Sequence, residues 1–150
     1  MVVEETDENG KMVKTGRVAA SIDMGWTTRS NGHTYDSLNG YCCLIGLKTG
    51  KVFDYKCYNR KCKQCDVNRR NNVKTKHENC RSNWYGTAKA MEAQGAVNLV
   101  TSKKLKDNNV QIGVLVADND SSSYAAVQNA VKTHKVLNQS DMNHTIKGEL

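Results

Sequence analysis

The sequence predicts an α/β chain built on a mixed β-sheet, and three stretches carry that expectation. Two β-rich runs, Tyr41 to Leu47 and Val52 to Tyr58, flank Lys48-Thr49-Gly50-Lys51 and read as a hairpin. The segment TAKAMEAQGAVNLVTSKKL, residues 87–105, repeats its apolar side chains at helical spacing. A further apolar run, VQIGVLVA at 110–117, is a strand that follows that helix. A hairpin followed by helix-linked strands combines antiparallel and parallel pairing in one sheet.

In chain order, residues 1–16 (MVVEETDENGKMVKTG) are polar, charged and aperiodic, and are expected as a flexible leader. RVAASIDMGW, residues 17–26, is a first strand closed by Asp23, Gly25 and Trp26. TTRSNGHTYDSLNG is rich in turn formers and loops out before the hairpin, in which Gly50 supplies the left-handed turn position. From Asn59 to Asn83 the composition shifts: eight of these 25 residues are Lys or Arg, three are Cys, and only Val67 and Val73 are aliphatic, so this insert is no core element. The helix that follows places Ala90, Met91, Ala93, Ala96, Val97, Leu99, Val100 and Leu105 on its apolar side. Gly95 weakens it by up to about 1 kcal/mol. Asp107-Asn108-Asn109 ends it, the strand VQIGVLVA runs into Asp118-Asn119-Asp120, and SYAAVQNAVKTHKVL (123–137) has the pattern of a helix packed on the sheet. The tail, SDMNHTIKGEL, has no clear period.

At 150 residues the chain suits one domain, and 38% hydrophobic residues with a single Phe imply a modest core. The net charge of +7 and pI near 9.1 favour an anionic partner, nucleic acid first and a membrane surface second. No run approaches the roughly eighteen apolar residues of a membrane helix. The N-terminus lacks a signal-peptide core, so an intracellular chain is expected, with six cysteines serving as thiols or metal ligands rather than disulfides. Cys42 and Cys43 lie in a hydrophobic strand, where at least one is a plain buried side chain.

Within the insert, Cys62-Lys63-Gln64-Cys65 and His77-Glu78-Asn79-Cys80 are separated by eleven residues. Two such pairs offer four ligands suited to tetrahedral zinc, and a structural zinc would order a segment too polar to fold by burial. The alternative is a loop of scattered reduced thiols. Arg69, Arg70, Lys74 and Lys76 are candidate phosphate contacts, or a solvated loop face.

Asp23 and Asp118 each close an apolar run. If the two strands lie side by side, the carboxylates meet at one rim, an arrangement that binds the divalent ions of phosphoryl transfer. The alternative for Asp118, Asp120 and the serines after them is a turn. Glu92 could face the rim as an auxiliary ligand or pair in solvent with Lys89 or Lys103.

SIDMGWTTR, the hairpin ending in TGKV, CKQC with HENC, NWYGTAKAME, ADNDSS and SDMNHTIK together resemble, in order from about Arg17, the Mutator-like transposase domain of arthropod transposable elements. NWYGTAKAME is the most specific of them, because a generic helix start has no need of its polar residues. The resemblance implies a ribonuclease H-like core over 17–150, with the zinc-binding insert at 59–83, that cleaves and joins DNA with Mg²⁺ or Mn²⁺ held by two aspartates and a third acidic residue. On it, Asp23 is the first carboxylate and Asp118 the second, with Asp120 a second choice. Asp141-Met142-Asn143-His144 resembles a Cys-x-x-His element of related transposases, which makes His144 an auxiliary candidate with Asp141 in place of the usual Cys. The third acidic residue is expected after a further helical insertion. The chain stops at Leu150 and Glu149 lies too near that end, so the core is expected to be incomplete at the C-terminus. DNA as partner and a nuclear location are expected on the same resemblance, with a homo-oligomer left open. Two other functions compete with a transposase: a domesticated, non-catalytic zinc-containing DNA-binding protein, and a redox or structural thiol protein, which the His-x-x-Cys half of the motif disfavours.

Overall fold

A computed structural model describes residues 1–7, 9–27, 37–74, 77–117 and 121–140. The order of elements is β1 (Val2–Thr6), β2 (Met12–Trp26), β3 (Asn39–Gly46), β4 (Val52–Asn59), α1 (Lys63–Arg70), α2 (Ala88–Val100), α3 (Lys103–Asp107), β5 (Val110–Ala117), α4 (Ser121–Ala130) and β6 (Leu137–Ser140). The strands form one mixed sheet in the order β4-β3-β2-β5-β6, with β1 also paired to β2. β2, β3 and β4 are an antiparallel meander, and β5 and β6 add on in parallel. The expected mixed sheet is therefore present, and its first and fourth expected strands, β2 and β5, are neighbours.

The hairpin forms as the sequence predicts, with Gly50 at φ +64° in its turn. Three elements differ from expectation. The supposed leader is a second hairpin: β1 pairs with the first residues of β2, from Val2 against Gly16 to Thr6 against Met12. Its turn is set by the Asp7 carboxylate, which accepts the backbone N–H groups of Asn9 and Lys11, and by Gly10 at φ +77°. Arg17 and Gln111 both reach Glu5, and the Arg17–Glu5 pair closes at 2.7 Å. The long helix over 87–105 breaks at Thr101-Ser102, where the Thr101 hydroxyl donates to Val97 O and Ser102 caps α3 through Leu105 N–H. The helix expected over 123–137 stops at Ala130. Gln128 accepts Val136 N–H and the Tyr124 hydroxyl donates to Val136 O, folding the chain back so that β6 pairs with β5.

The core lies on one face of the sheet. Ala20, Ile22, Cys42, Leu44, Ile112 and Leu115 from the strands pack with Met91, Ala96, Leu99, Leu105 and Val127 from the helices. Cross-strand neighbours share a face. The other face therefore carries the row Asp23–Cys43–Tyr55, with Tyr41 beside it lying over Gly25. Asp23 is exposed, and Tyr41 and Tyr55 are more than half-exposed.

Candidate metal centre

The insert leaves the sheet after β4 and returns just before α2, and the two ends are fastened together. The Asn83 side-chain amide donates to Cys57 O at 2.9 Å and accepts Asn59 N–H at 2.7 Å. The backbone N–H groups of Asn83 and Trp84 both point to Asn59 O, at 2.9 and 3.1 Å, and Ser82 Oγ donates to Arg60 O. The Trp84 ring meets Tyr58 edge-on at 5.3 Å, and its Nε1–H donates to Thr87 O. Thr87 then caps α2 by accepting Ala90 N–H.

Inside this clamp, Cys62, Cys65, His77 and Cys80 converge, with all four ligand atoms within 4.8 Å of one another. His77 Nε2 lies 3.4 Å from Cys62 Sγ and 3.3 Å from Cys65 Sγ, and the sulfurs of Cys65 and Cys80 are 3.4 Å apart. A tetrahedral zinc with sulfur bonds near 2.3 Å keeps its ligands about 3.5–3.8 Å apart, so adjustments of a few tenths of an ångström at these three contacts separate them from coordination distances. The four residues predicted from spacing are brought together and could hold zinc.

Local structure explains the donor geometry. Cys62 is the N-cap of α1, so its sulfur stands near the backbone N–H groups of Arg81, Cys65 and Gln64 without forming a cap hydrogen bond. Those N–H groups, helped by His77, hold its thiol down at about 6. The hydrogen bond to Cys80, followed by burial and the neighbouring Cys62, pushes Cys65 up to about 12. A divalent cation reverses that second effect, because a thiolate bound to it no longer faces uncompensated negative charge. α1 contributes no buried residue, and Val67 is 39% exposed, so apolar burial does not hold this helix in place.

The basic residues lie around the cluster. Arg69, Arg70 and Lys74 are exposed, Arg69 standing 3.5 Å from Asp66. Lys76 lies outside the described residues. An open cleft beside the sulfurs is lined by Lys63, His77, Glu78 and Arg81.

Of the carboxylates, Asp23 lies opposite Cys43 near the end of β2. The charge of Asp23, after burial, raises the Cys43 thiol above its ordinary value. The β2–β5 register runs to Ser21 against Val116, so each strand's last paired residue stands two positions before its aspartate in the sequence. Asp118, Asp120, Asp141, His144 and Glu149 lie outside the described residues. Glu92 is half-buried on the second turn of α2. Trp26 and Trp84 pack on the core, and Cys42 is fully buried. Sequence reasoning misses the clamp of Asn83, Trp84 and Gly86. Its one signal is the polar cluster before α2 that no helix start requires.

Among the described residues, no helix is long and apolar enough to cross a membrane. No curated protein and no solved structure matches this chain. The family model of the Mutator-like transposase matches residues 2–149, nearly the whole sequence. The chain thus belongs to the Mutator-like transposase family.

Proposed function

We propose that this chain is the catalytic core, or part of the core, of a DNA transposase of the arthropod kind, with a ribonuclease H-like sheet that cleaves and transfers DNA strands. Asp23 and Asp118 hold Mg²⁺ or Mn²⁺, and the Cys62, Cys65, His77 and Cys80 cluster holds a structural zinc. One observation carries the proposal beyond family membership. β2 and β5 are parallel neighbours whose register ends at Ser21 and Val116, two residues short of both aspartates. Continued pairing would bring two carboxylates to the same face of one rim, where hard oxygen ligands bind divalent ions. Ions held there by Asp23 and Asp118 would supply activation of the attacking water or hydroxyl and charge stabilisation of the leaving oxygen. Asp120, Glu92 and His144 are the auxiliary candidates, and the third acidic residue is unassigned.

The basic insert supplies the phosphate contacts, through Arg69, Arg70, Lys74 and Lys76, and DNA work by a transposase places the chain in the nucleus. Plasmid nicking tests the assignment. Cleavage that requires Mg²⁺ or Mn²⁺ and is abolished in Asp23→Asn and Asp118→Asn, with fold and zinc content retained, supports it. Equal nicking by wild type and Asp23→Asn refutes it. A second reading, a non-catalytic zinc-containing DNA-binding protein, is favoured by a metal cluster built from Cys62, Cys65, His77 and Cys80 without any carboxylate. Salt-sensitive DNA binding with no cleavage under any divalent ion selects it.

A further inference from the structure

We propose that Tyr85, with Arg60, Lys61 and Arg81 around it, binds an unpaired nucleotide of single-stranded DNA. The inference rests on the DNA-processing function above and specifies the form of DNA that this surface takes. Tyr85 is 90% exposed, although it sits in one of the most firmly fastened segments of the chain. On its N-terminal side, Asn83 and Trp84 are hydrogen-bonded to Asn59 and Cys57. On its C-terminal side, Thr87 receives the Trp84 indole N–H at 3.0 Å. Gly86 completes the tip: a Cβ there would stand 2.9 Å from the Trp84 ring, so the turn admits only glycine without displacing that ring. The two adjacent aromatics are divided by this geometry, Trp84 inward on Tyr58 and Tyr85 outward into solvent. A single exposed aromatic on a slack loop would need no explanation. One presented on a fixed tip is preorganised for stacking, with little ordering left to lose on binding.

Charge supplies the second half of the argument. The Ser82–Arg60 and Asn83–Asn59 bonds hold the two ends of the insert together, which brings the chain at Arg60 and Lys61 and at Arg81 to the base of the tip. None of these three pairs with a carboxylate among the described residues. An aromatic platform among unpaired cations is the combination that binds single strands, because each base offers a π-face only once it is unstacked, and the cations take the phosphates. The location fits as well. Tyr58 at the end of β4 pairs with Gly40, which pairs with Trp26, three residues past Asp23 on β2. The tip therefore stands at the sheet end where β2 finishes, about 10 Å along the strand from the Asp23 position.

The test compares two DNA duplexes of one sequence, one blunt and one with a four-nucleotide overhang carrying 2-aminopurine, titrated with the zinc-loaded chain. The expected result is tighter binding of the overhang duplex, with quenching of the 2-aminopurine. Tyr85→Ala should lose about tenfold in overhang affinity together with the quenching. It should keep the blunt-duplex affinity and one zinc per chain, since a side chain this exposed supports no core. Tyr85→Trp should restore both signals. Equal affinity of the wild-type chain for blunt and overhang duplexes overturns the inference and leaves the DNA function standing, as does a Tyr85→Ala variant indistinguishable from wild type. Failure to bind either duplex overturns both.

Discussion

Gly95 in the middle of α2 gives the sharpest test of how that helix is seated. Glycine in a helix interior costs up to about 1 kcal/mol relative to alanine, so Gly95→Ala should stabilise an isolated helix. Here the added Cβ would stand 2.6 Å from Cys42 Sγ and 3.4 Å from Tyr58 Cε2. Cys42 is completely buried on β3, so its sulfur cannot swing into solvent to relieve the contact. Overpacking of this kind costs about 1–3 kcal/mol. The clash exceeds the propensity gain, so Gly95→Ala should destabilise the zinc-loaded chain by about 1 kcal/mol, or about 2–4 °C in Tm for a chain of this size. Cys42→Ala removes the obstructing sulfur. In that background Gly95→Ala should become stabilising, by up to about 1 kcal/mol. The change of sign is a coupling of about 2 kcal/mol, well above the scatter of independent sites. Urea unfolding of the four proteins measures it, provided the m-value stays constant. A stabilising Gly95→Ala in the native background, or two effects that simply add, would refute the close approach of α2 to β3.

The remaining predictions concern the two sites. Purified chain should carry one zinc, and Cys65→Ser or a chelator should expose residues 60–82 to hydrogen exchange while β2, β3 and α2 stay protected; unchanged exchange after zinc removal would show that the metal orders nothing. Zinc affinity should rise about tenfold per pH unit for the Cys65 proton alone, whose thiol stands near 12, and more steeply below about pH 6, where Cys62 also holds a proton that the metal must displace. Replacing Arg69, Arg70 and Lys74 with alanine should flatten the salt dependence of duplex binding by up to about 0.9 in log–log slope for each phosphate no longer neutralised, and an unchanged slope places the DNA elsewhere. Cys43 reports on Asp23: its raised thiol is a poor nucleophile near pH 8, so Asp23→Asn, by removing a negative charge, should lower that pKa and speed its alkylation. Saturating Mg²⁺ should do the same to wild type and nothing to Asp23→Asn; alkylation indifferent to Mg²⁺ would argue against an ion at Asp23.

What the sequence disclosed depended on how local the governing interactions are. The β3–β4 hairpin was legible because Gly50 and two β-rich runs state it within eighteen residues. The zinc cluster was legible because ligand spacing survives without tertiary knowledge. The β1–β2 hairpin was equally local, and its Asn9-Gly10 dipeptide is a standard turn signal, but the charged residues around it concealed an alternation in which Val3 and Glu5 share a face. What secures β1 is the pairing of Glu5 with Arg17 and with Gln111, 106 residues away. The end of α4 was hidden in another way. Val131 continues the helical spacing of Tyr124 and Val127, and only the Gln128 and Tyr124 bonds to Val136 turn that stretch toward β6.

Protection of a sheet edge accounts for NWYGTAK, whose polar residues a helix start does not require. β4 is the outermost strand, and an edge strand exposes unpaired backbone groups. The Asn83 side chain accepts the N–H of Asn59 and donates to the carbonyl of Cys57, which is how a neighbouring strand's peptide group would bond to that edge. One amide thus ends the sheet and fixes where the insert returns. Trp84 adds the apolar contact to Tyr58, Gly86 lets the chain pass the indole, and Thr87 begins α2. Asn98, three turns on, donates to the Tyr58 hydroxyl and fastens the far half of the same helix to the same strand. The metal cluster is consequently not a loose appendage. Cys80 lies three residues before Asn83, so ordering of the insert by zinc and seating of α2 on the sheet meet in one short segment. Loss of the Asn83 amide, as in Asn83→Ala, should therefore weaken zinc retention although Asn83 is no ligand, and should loosen the first turn of α2 at the same time.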